Sequence, residues 1–168
     1  MPETRNPLST TVIRRATRDD AAQACQVLVR SIREICAKDY GYDEAILTPW
    51  CANKTVENVT AWIASPDHYF PVAEVSPLGI VGVGLLSVAT GQIALCYLVP
   101  EVLHQGIGKR LLTAMEAQAK AAGHTQVILS SSITARGFYL RNGYQPNGAL
   151  TSSSQITSFP MIKSFTTP

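Results

Sequence analysis

Residues 97–112 read YLVPEVLHQGIGKRLL, which predicts a β-strand, a short loop and a helix that begins at a Gly-x-Gly. The first turn of a helix has backbone N–H groups without partners inside the helix, and the helix dipole adds partial positive charge there. Gly106 and Gly108 present no side chain, so an anion can approach the backbone closely. Lys109 and Arg110 add cationic side chains at the same end. The stretch therefore predicts a pyrophosphate-binding site.

A Gly-x-Gly at a helix start is also found where a tight turn packs against a sheet, and that alternative stays open on this motif alone. Two other nucleotide-binding motifs are excluded because their required residues are missing. A P-loop requires Ser or Thr after its lysine, whereas Arg110 follows Lys109, and Leu103 occupies the first glycine position. A dinucleotide fingerprint requires a third glycine where this chain has Leu111.

Upstream of this stretch, the spacing of apolar residues predicts one strand, two helices and then three consecutive strands. The three strands cover residues 68–75, 80–88 and 92–99, and short turns join them as hairpins. Before them the pattern predicts a strand over 11–16 and a helix over 21–38 with Asp19 as its N-cap. A loop with a short helical turn over 40–49 and a helix over 55–64, capped by Thr55, follow.

Downstream, the pattern predicts a helix, a strand, a short helix and a final strand. These cover residues 106–122, 125–131, 134–142 and 156–165. Antiparallel hairpins beside a strand–helix–strand unit indicate the α+β class, with a mixed, mainly antiparallel central sheet flanked by helices.

Length and composition limit the class of protein. With 168 residues, the chain is predicted to form one domain over 11–168 after a flexible N-terminal segment over 1–10. The net charge of +2 is too small for a nucleic-acid partner, and scattered histidines and cysteines predict no metal site. Without a signal peptide or a bilayer-length apolar run, we expect a cytoplasmic protein with no membrane partner. A homodimer is the commonest assembly for such a domain.

A second informative stretch, residues 132–144, reads SITARGFYLRNGY. Ala135, Phe138, Tyr139 and Asn142 share one face of a helix by their three-four spacing. We expect Phe138 to pack in the core. The spacing alone leaves two interpretations of Tyr139: a half-buried tyrosine with a satisfied hydroxyl, or a functional residue.

The two stretches together resemble the GNAT acetyltransferase superfamily. Residues 135–144 match that family's A-x-x-F-Y-x-x-x-G-[FY] pattern throughout. Residues 103–108, LHQGIG, keep both glycines of its [QR]-x-x-G-x-[GA] cofactor motif, with Leu103 at the first position. Residues 159–163, FPMIK, are similar to its last strand. The order of predicted elements over residues 12–165 also resembles the family's.

The resemblance implies an N-acetyltransferase that uses acetyl-CoA as cosubstrate and acetylates a small-molecule or peptide amine. Leu98 and Val99 would offer backbone groups to the pantetheine arm, and Ser132 would face that arm. Tyr139 would protonate the departing thiolate. The residues implied at the pyrophosphate are Gln105, Gly106, Ile107, Gly108, Lys109 and Arg110.

The general base is not identified by the sequence. The strand before the Gly-x-Gly helix has no carboxylate, so Glu74, His68 and a chain of water molecules remain alternatives. Cys96 on the same strand is interpreted as a small buried hydrophobe rather than as the carrier of a covalent acyl group. A non-catalytic acetyl-CoA-binding or protein-interaction module is the alternative function.

We expect the acceptor to enter between the first helices and the sheet. Acids and aromatics cluster there in sequence, which suits a cationic amine, although a solvated loop with anchoring aromatics has the same composition. The clustered residues are Asp39, Tyr40, Tyr42, Asp43, Glu44 and Trp50.

Overall fold

The computed structural model describes residues 10–165, and these form a nine-stranded sheet with helices on both faces. The strands are β1 Thr11–Arg15, β2 His68–Tyr69, β3 Pro71–Val75, β4 Gly79–Ser87, β5 Gln92–Leu98, β6 Gln126–Ser131, β7 Gln145–Pro146, β8 Thr151–Ser153 and β9 Ile156–Ser164. The helices are α1 Ala21–Glu34, α2 Glu44–Cys51, α3 Val56–Ala64, α4 Ile107–Ala121 and α5 Arg136–Arg141. The predicted α+β class is confirmed. Apart from Thr10, the segment predicted to be flexible lies outside the described residues.

The sheet has the order β1-β3-β4-β5-β6-β9-β7, with β2 paired to β4 and β8 paired to β9. Each neighbouring pair is antiparallel except β5 and β6, which α4 connects as a parallel crossover. The predicted hairpins are confirmed, and Phe70 divides the first predicted strand into β2 and β3.

α1 and α4 pack on opposite faces of the central strands. Leu28 and Ile32 of α1 and Leu111 of α4 have no exposed surface. On β4, a Cβ at Gly82 would lie 2.6 Å from Leu98 Cδ2 and 2.9 Å from Leu111 Cδ1, so only glycine lets α4 pack this closely.

The first predicted helix is shorter than expected. α1 ends at Glu34, and a 3-10 turn over Cys36–Tyr40 follows it, closed by Gly41 in the left-handed region at φ 61°. The N-cap prediction for Asp19 is wrong. Instead, Asp20 accepts a hydrogen bond of 2.7 Å from the backbone N–H of Thr17, and its carboxylate also pairs with Arg14.

The short helical turn predicted within the loop over residues 40–49 is the helix α2. Asp43 caps α2 by accepting a hydrogen bond from the Ala45 N–H, and the helix runs to Cys51. Pro49 lies close to the C-terminal end, so its missing N–H removes only one late helical bond. The predicted cap of α3 is confirmed, because the Thr55 hydroxyl accepts from the Asn58 N–H.

Over the described residues no helix is both long and apolar enough to cross a membrane. The cytoplasmic location and the homodimer stay predictions.

Candidate active site

The two central parallel strands separate from each other along their length. β5 and β6 pair only at Gln92 with Ile128 and at Ile93 with Leu129. Beyond these pairs, a cavity of about 460 Å³ opens between the two strands. It reaches from Ile93, where the strands meet, to the start of α4.

Pairing with β4 determines which backbone groups of β5 face this cavity. The Val99 N–H donates to the Val81 carbonyl oxygen over 2.9 Å, and Tyr97 is opposite Val83 in the same register. Because the backbone groups of successive strand residues point to opposite edges, the N–H and C=O of Leu98 and Cys96 point away from β4 and into the cavity. They are free to bind an extended ligand as an added strand would.

At the open end of the cavity, the turn that starts α4 presents a series of free donors. The N–H groups of residues 104–109 donate to no acceptor in the described part of the chain. Gly106, the N-cap, is left-handed at φ 84°, and a Cβ there would meet nothing within 4 Å, so its surroundings are open. This is the arrangement that binds phosphate groups at helix N-termini.

The predicted pyrophosphate residues do not all face this opening. Gly106, Gly108 and Lys109 line the cavity. The Gln105 amide donates to the Glu101 carbonyl oxygen over 3.2 Å. The Arg110 guanidinium donates to the Thr11 carbonyl oxygen over 3.0 Å, and the Arg110 N–H is bonded to Gly106 within the helix.

Of the residues predicted to bind the pantetheine arm, likewise only some face the cavity. The Leu98 backbone faces the cavity, whereas both backbone groups of Val99 are engaged, since its carbonyl accepts from the Val102 N–H over 3.3 Å. Ser132 lines the cavity, and its hydroxyl accepts from the Ala135 N–H over 3.2 Å.

On the side of α4 and α5, Tyr139 and Cys96 lie together at the cavity wall. The Tyr139 hydroxyl lies next to the Cys96 thiol, and burial raises the pKa of Tyr139 well above its usual range. Burial likewise raises the pKa of the Cys96 thiol to about 12. Phe138 is half-buried beside Gly108, with its ring 5.2 Å from that of Tyr139.

On the side of α1, the wall is formed by Tyr97, Cys36 and Ser132. Tyr97 and Trp50 both pack against the buried Ile32, Ala37 and Leu47, and burial raises the pKa of Tyr97. Burial raises the pKa of the Cys36 thiol to about 11. Tyr97 and Cys36 were not identified from the sequence. Successive side chains of a strand point to opposite faces, so Tyr97 was expected on the face opposite Cys96. This alternation was the one feature of the sequence that could have identified Tyr97.

The two candidate bases lie outside the cavity. Glu74 accepts a hydrogen bond of 2.7 Å from Arg14, and His68 Nδ1 is 3.0 Å from the Trp62 carbonyl oxygen. The titratable residues that do line the cavity are Cys36, Lys38, Cys96, Tyr97, His104, Lys109, Tyr139 and Arg141. In the described part of the chain, no carboxylate is among them.

The acidic residues predicted to hold a cationic amine have partners within the protein. Glu44 pairs with Arg33 over 2.8 Å. Asp43 caps α2, and Asp39 accepts a hydrogen bond from the Thr134 hydroxyl. The exposed ring of Tyr42 does not line the cavity.

The aromatic residues of this cluster anchor the turn over Cys36–Tyr40. The rings of Tyr40 and Trp50 meet edge-on with centroids 5.8 Å apart, and the Tyr40 hydroxyl accepts from the Thr157 N–H. None of the six clustered residues lines the cavity, and the aromatic ones support the turn that carries the lining residues Cys36 and Lys38.

Comparison with known proteins gives an independent result. Residues 36–165 match the family model described as Acetyltransferase (GNAT) domain. No curated protein is significantly similar in sequence.

Among solved structures, a GCN5-related N-acetyltransferase from Rhodopseudomonas palustris, whose description also reads Aminotransferase, Class-II, is 24% identical with a TM-score of 0.80. That match covers 93% of this chain and 96% of the other. The PaiA N-acetyltransferase from Thermoplasma acidophilum, solved in complex with coenzyme A, is 23% identical with a TM-score of 0.80 over 93% and 99% of the two chains. At these identities the two structures support the fold.

Proposed function

The chain belongs to the GNAT acetyltransferase family, an acyltransferase family with acetyl-CoA as cosubstrate, and on that premise we propose that it acetylates a primary amine by direct attack on the thioester. The observation that carries this proposal is the cavity between β5 and β6, which joins a row of free N–H donors to a buried tyrosine hydroxyl.

The residues present fit acetyl-CoA. The free N–H groups of residues 104–109 and the Lys109 ammonium would hold the pyrophosphate, and the glycines leave room for it. The backbone groups of Leu98 and Cys96 and the side chain of Ser132 would bind the pantetheine arm. When bound, the cosubstrate supplies an acyl thioester open to attack by an amine.

Direct attack is favoured over a covalent acyl-enzyme because the two thiols in the cavity are poor nucleophiles. The thiolate is the reactive form of cysteine, and pKa values of about 11 for Cys36 and about 12 for Cys96 leave almost none of it at neutral pH.

Tyr139 is the proposed proton donor to the departing thiolate. The hydroxyl stays protonated at neutral pH and lines the cavity beside Cys96, so it can give its proton to the departing thiolate and regain one from water, which also takes the proton of the attacking amine. Tyr97 is the corresponding hydroxyl on the α1 side, where the amine would enter.

The amine has to lose its proton without a carboxylate in the described part of the cavity wall. Lys38 and Arg141 also line the cavity, and a positive charge near a bound ammonium group lowers its pKa and so favours the neutral, nucleophilic amine. We propose that the proton leaves to water.

The direct test is thiol release from acetyl-CoA in the presence of a panel of primary amines. We expect release that depends on the amine and saturates with it. The alternative function, a non-catalytic acetyl-CoA-binding module, predicts tight binding by calorimetry together with no release above the background for any amine. That pair of results would replace the enzymatic proposal.

The pH dependence of kcat/KM should report ionisation of the acceptor amine rather than of Tyr139 or the two cavity thiols. Since Tyr139, Cys36 and Cys96 have raised pKa values, all three stay protonated between about pH 6 and 9. kcat/KM should therefore rise about tenfold per pH unit below the pKa of the acceptor amine and level off above it.

Two acceptors with different amine pKa values separate the possibilities. An α-amino group near pKa 8 and an aliphatic amine near 10.4 should give acid limbs displaced by roughly two pH units. A common midpoint for both acceptors would show instead that an enzyme group acts as the base.

A further inference from the structure

The charges on the α1 side of the cavity point to a particular kind of acceptor. Asp39 bonds to Thr134, Asp43 caps α2 and Glu44 pairs with Arg33, so the acidic residues of this region are engaged. The neutral groups there are the Tyr97, Ser31 and Thr134 hydroxyls and the Cys36 thiol. A polycationic acceptor would find no carboxylate among the described lining residues.

Lys38 is the cation on this side. It belongs to the 3-10 turn over Cys36–Tyr40, lines the cavity and is exposed to solvent. Within residues 10–165 its ammonium forms no ion pair or side-chain hydrogen bond: the neighbouring Asp39 accepts from Thr134, and Glu34 pairs with Arg30. Lys38 therefore presents a charge that a ligand can neutralise.

The position of Lys38 is fixed by the fold. Asp39 ties the turn to the loop before α5, and the Tyr40 hydroxyl ties it to β9 through the Thr157 N–H over 2.9 Å. Gly41 closes the turn by donating to the Lys38 carbonyl oxygen. Because Asp39 and Tyr40 are anchored to a distant loop and a distant strand, the backbone of Lys38 is held beside the cavity wall formed by Cys36 and Tyr97, within reach of its ammonium.

We infer that the acceptor is a small primary amine that also carries a carboxylate, the chemistry of an amino acid, and that Lys38 binds this carboxylate as a specificity-determining residue. The inference rests on the proposed acetyl transfer and concerns the same cavity. A carboxylate paired with Lys38 would orient the amine towards the thioester. The carboxylate would also offset the repulsion between the Lys38 ammonium and the positive charge of the acceptor's ammonium group.

The experiment compares kcat/KM for matched amines on the native protein. A panel of amino acids is tested beside their amides, which lack the negative charge of the carboxylate. It is also tested beside the decarboxylated amines, which lack the carboxylate altogether. We expect the acids to be preferred by about tenfold or more, the size of one hydrogen bond between charged groups. Aminophosphonates of the same length distinguish recognition of a carboxylate from recognition of any anion.

Substitution of Lys38 supplies the second measurement. Lys38→Met should raise KM for the acids about tenfold, leave KM for the amides nearly unchanged and leave acetyl-CoA binding intact. Lys38→Glu should reverse the preference towards the decarboxylated amines. Lys120→Met is the matched control, since Lys120 lies near the C-terminal end of α4, away from the cavity, with its ammonium 4.6 Å from the Phe165 ring centroid.

The outcomes separate the two proposals. Transfer to amides or decarboxylated amines as efficient as transfer to the acids would overturn the acceptor inference and leave the acetyltransferase proposal standing. An acid preference that Lys38→Met leaves unchanged would overturn the role of Lys38. No thiol release with any amine, despite acetyl-CoA binding, would remove the proposed function itself.

Discussion

Replacing Gly108 with glutamate is expected to weaken acetyl-CoA binding by roughly 100-fold or more, because the substitution places a carboxylate where the pyrophosphate is proposed to bind. Gly108 is the second residue of α4, and its N–H is among the free donors of residues 104–109. A Cβ there would lie 3.3 Å from Phe138 Cζ and 3.4 Å from Leu98 Cδ1. A longer side chain must therefore displace these residues or extend into the cavity.

Calorimetry with acetyl-CoA measures the effect, and two variants separate its causes. Gly108→Ala adds only the Cβ, so we expect it to weaken binding by less than about tenfold through crowding of Phe138 and Leu98. Ala117→Glu adds the same charge at an exposed site farther along α4 and should leave the affinity unchanged. Native affinity in Gly108→Glu would move the cofactor site away from the start of α4.

The sequence predicts the site best where the chemistry is local. The row of free donors depends only on a helix that starts with glycines after a strand, and residues 97–112 contain all of these features. The helix α3 is also predictable from local sequence. Its N-cap is Thr55, and its C-cap is Ser65, which precedes a proline, so both signals adjoin the helix. No distant contact is needed to predict either feature.

The choice between Leu98 and Val99 could not be made from the sequence. Adjacent strand residues direct their backbone groups to opposite edges, so only one of the two can face the cavity. Which one does so depends on the register between β4 and β5, and that register shifts at a bulge between Leu85 and Leu86. The bulge has no local sequence signal.

The acidic cluster could not be interpreted from the sequence for a related reason. Composition shows how many carboxylates are near a loop but not which of them have partners. Asp39 is engaged by Thr134, 95 residues away, and Tyr40 by the backbone of Thr157, 117 residues away. These long-range contacts give the predicted cation site a structural role, and Lys38, on the same turn, is the residue that lines the cavity.

Tyr139→Phe should lower kcat by roughly 100-fold, in line with the loss of one general acid. The hydroxyl is the one group removed, and the ring keeps its edge contact with Tyr144 at 5.5 Å and its contact with Phe138. The neighbouring Cys96 thiol stays protonated and neutral, because burial raises its pKa, so no buried charge loses a partner. We therefore expect acetyl-CoA affinity and thermal stability to change little. Steady-state kinetics with a verified acceptor, calorimetry and thermal unfolding measure the three quantities.

Tyr144→Phe is the matched control, because it removes a buried tyrosine hydroxyl that does not line the cavity. That hydroxyl donates to Glu116 Oε1 over 3.1 Å, beside the ion pair of Glu116 with Lys163. Its removal leaves a buried carboxylate with one donor fewer, so we expect a loss of about 1–3 kcal/mol in the free energy of unfolding and an unchanged kcat. If Tyr139→Phe instead behaves like this control, the Tyr139 hydroxyl is structural. The thiolate then leaves without help from the enzyme or takes its proton from water.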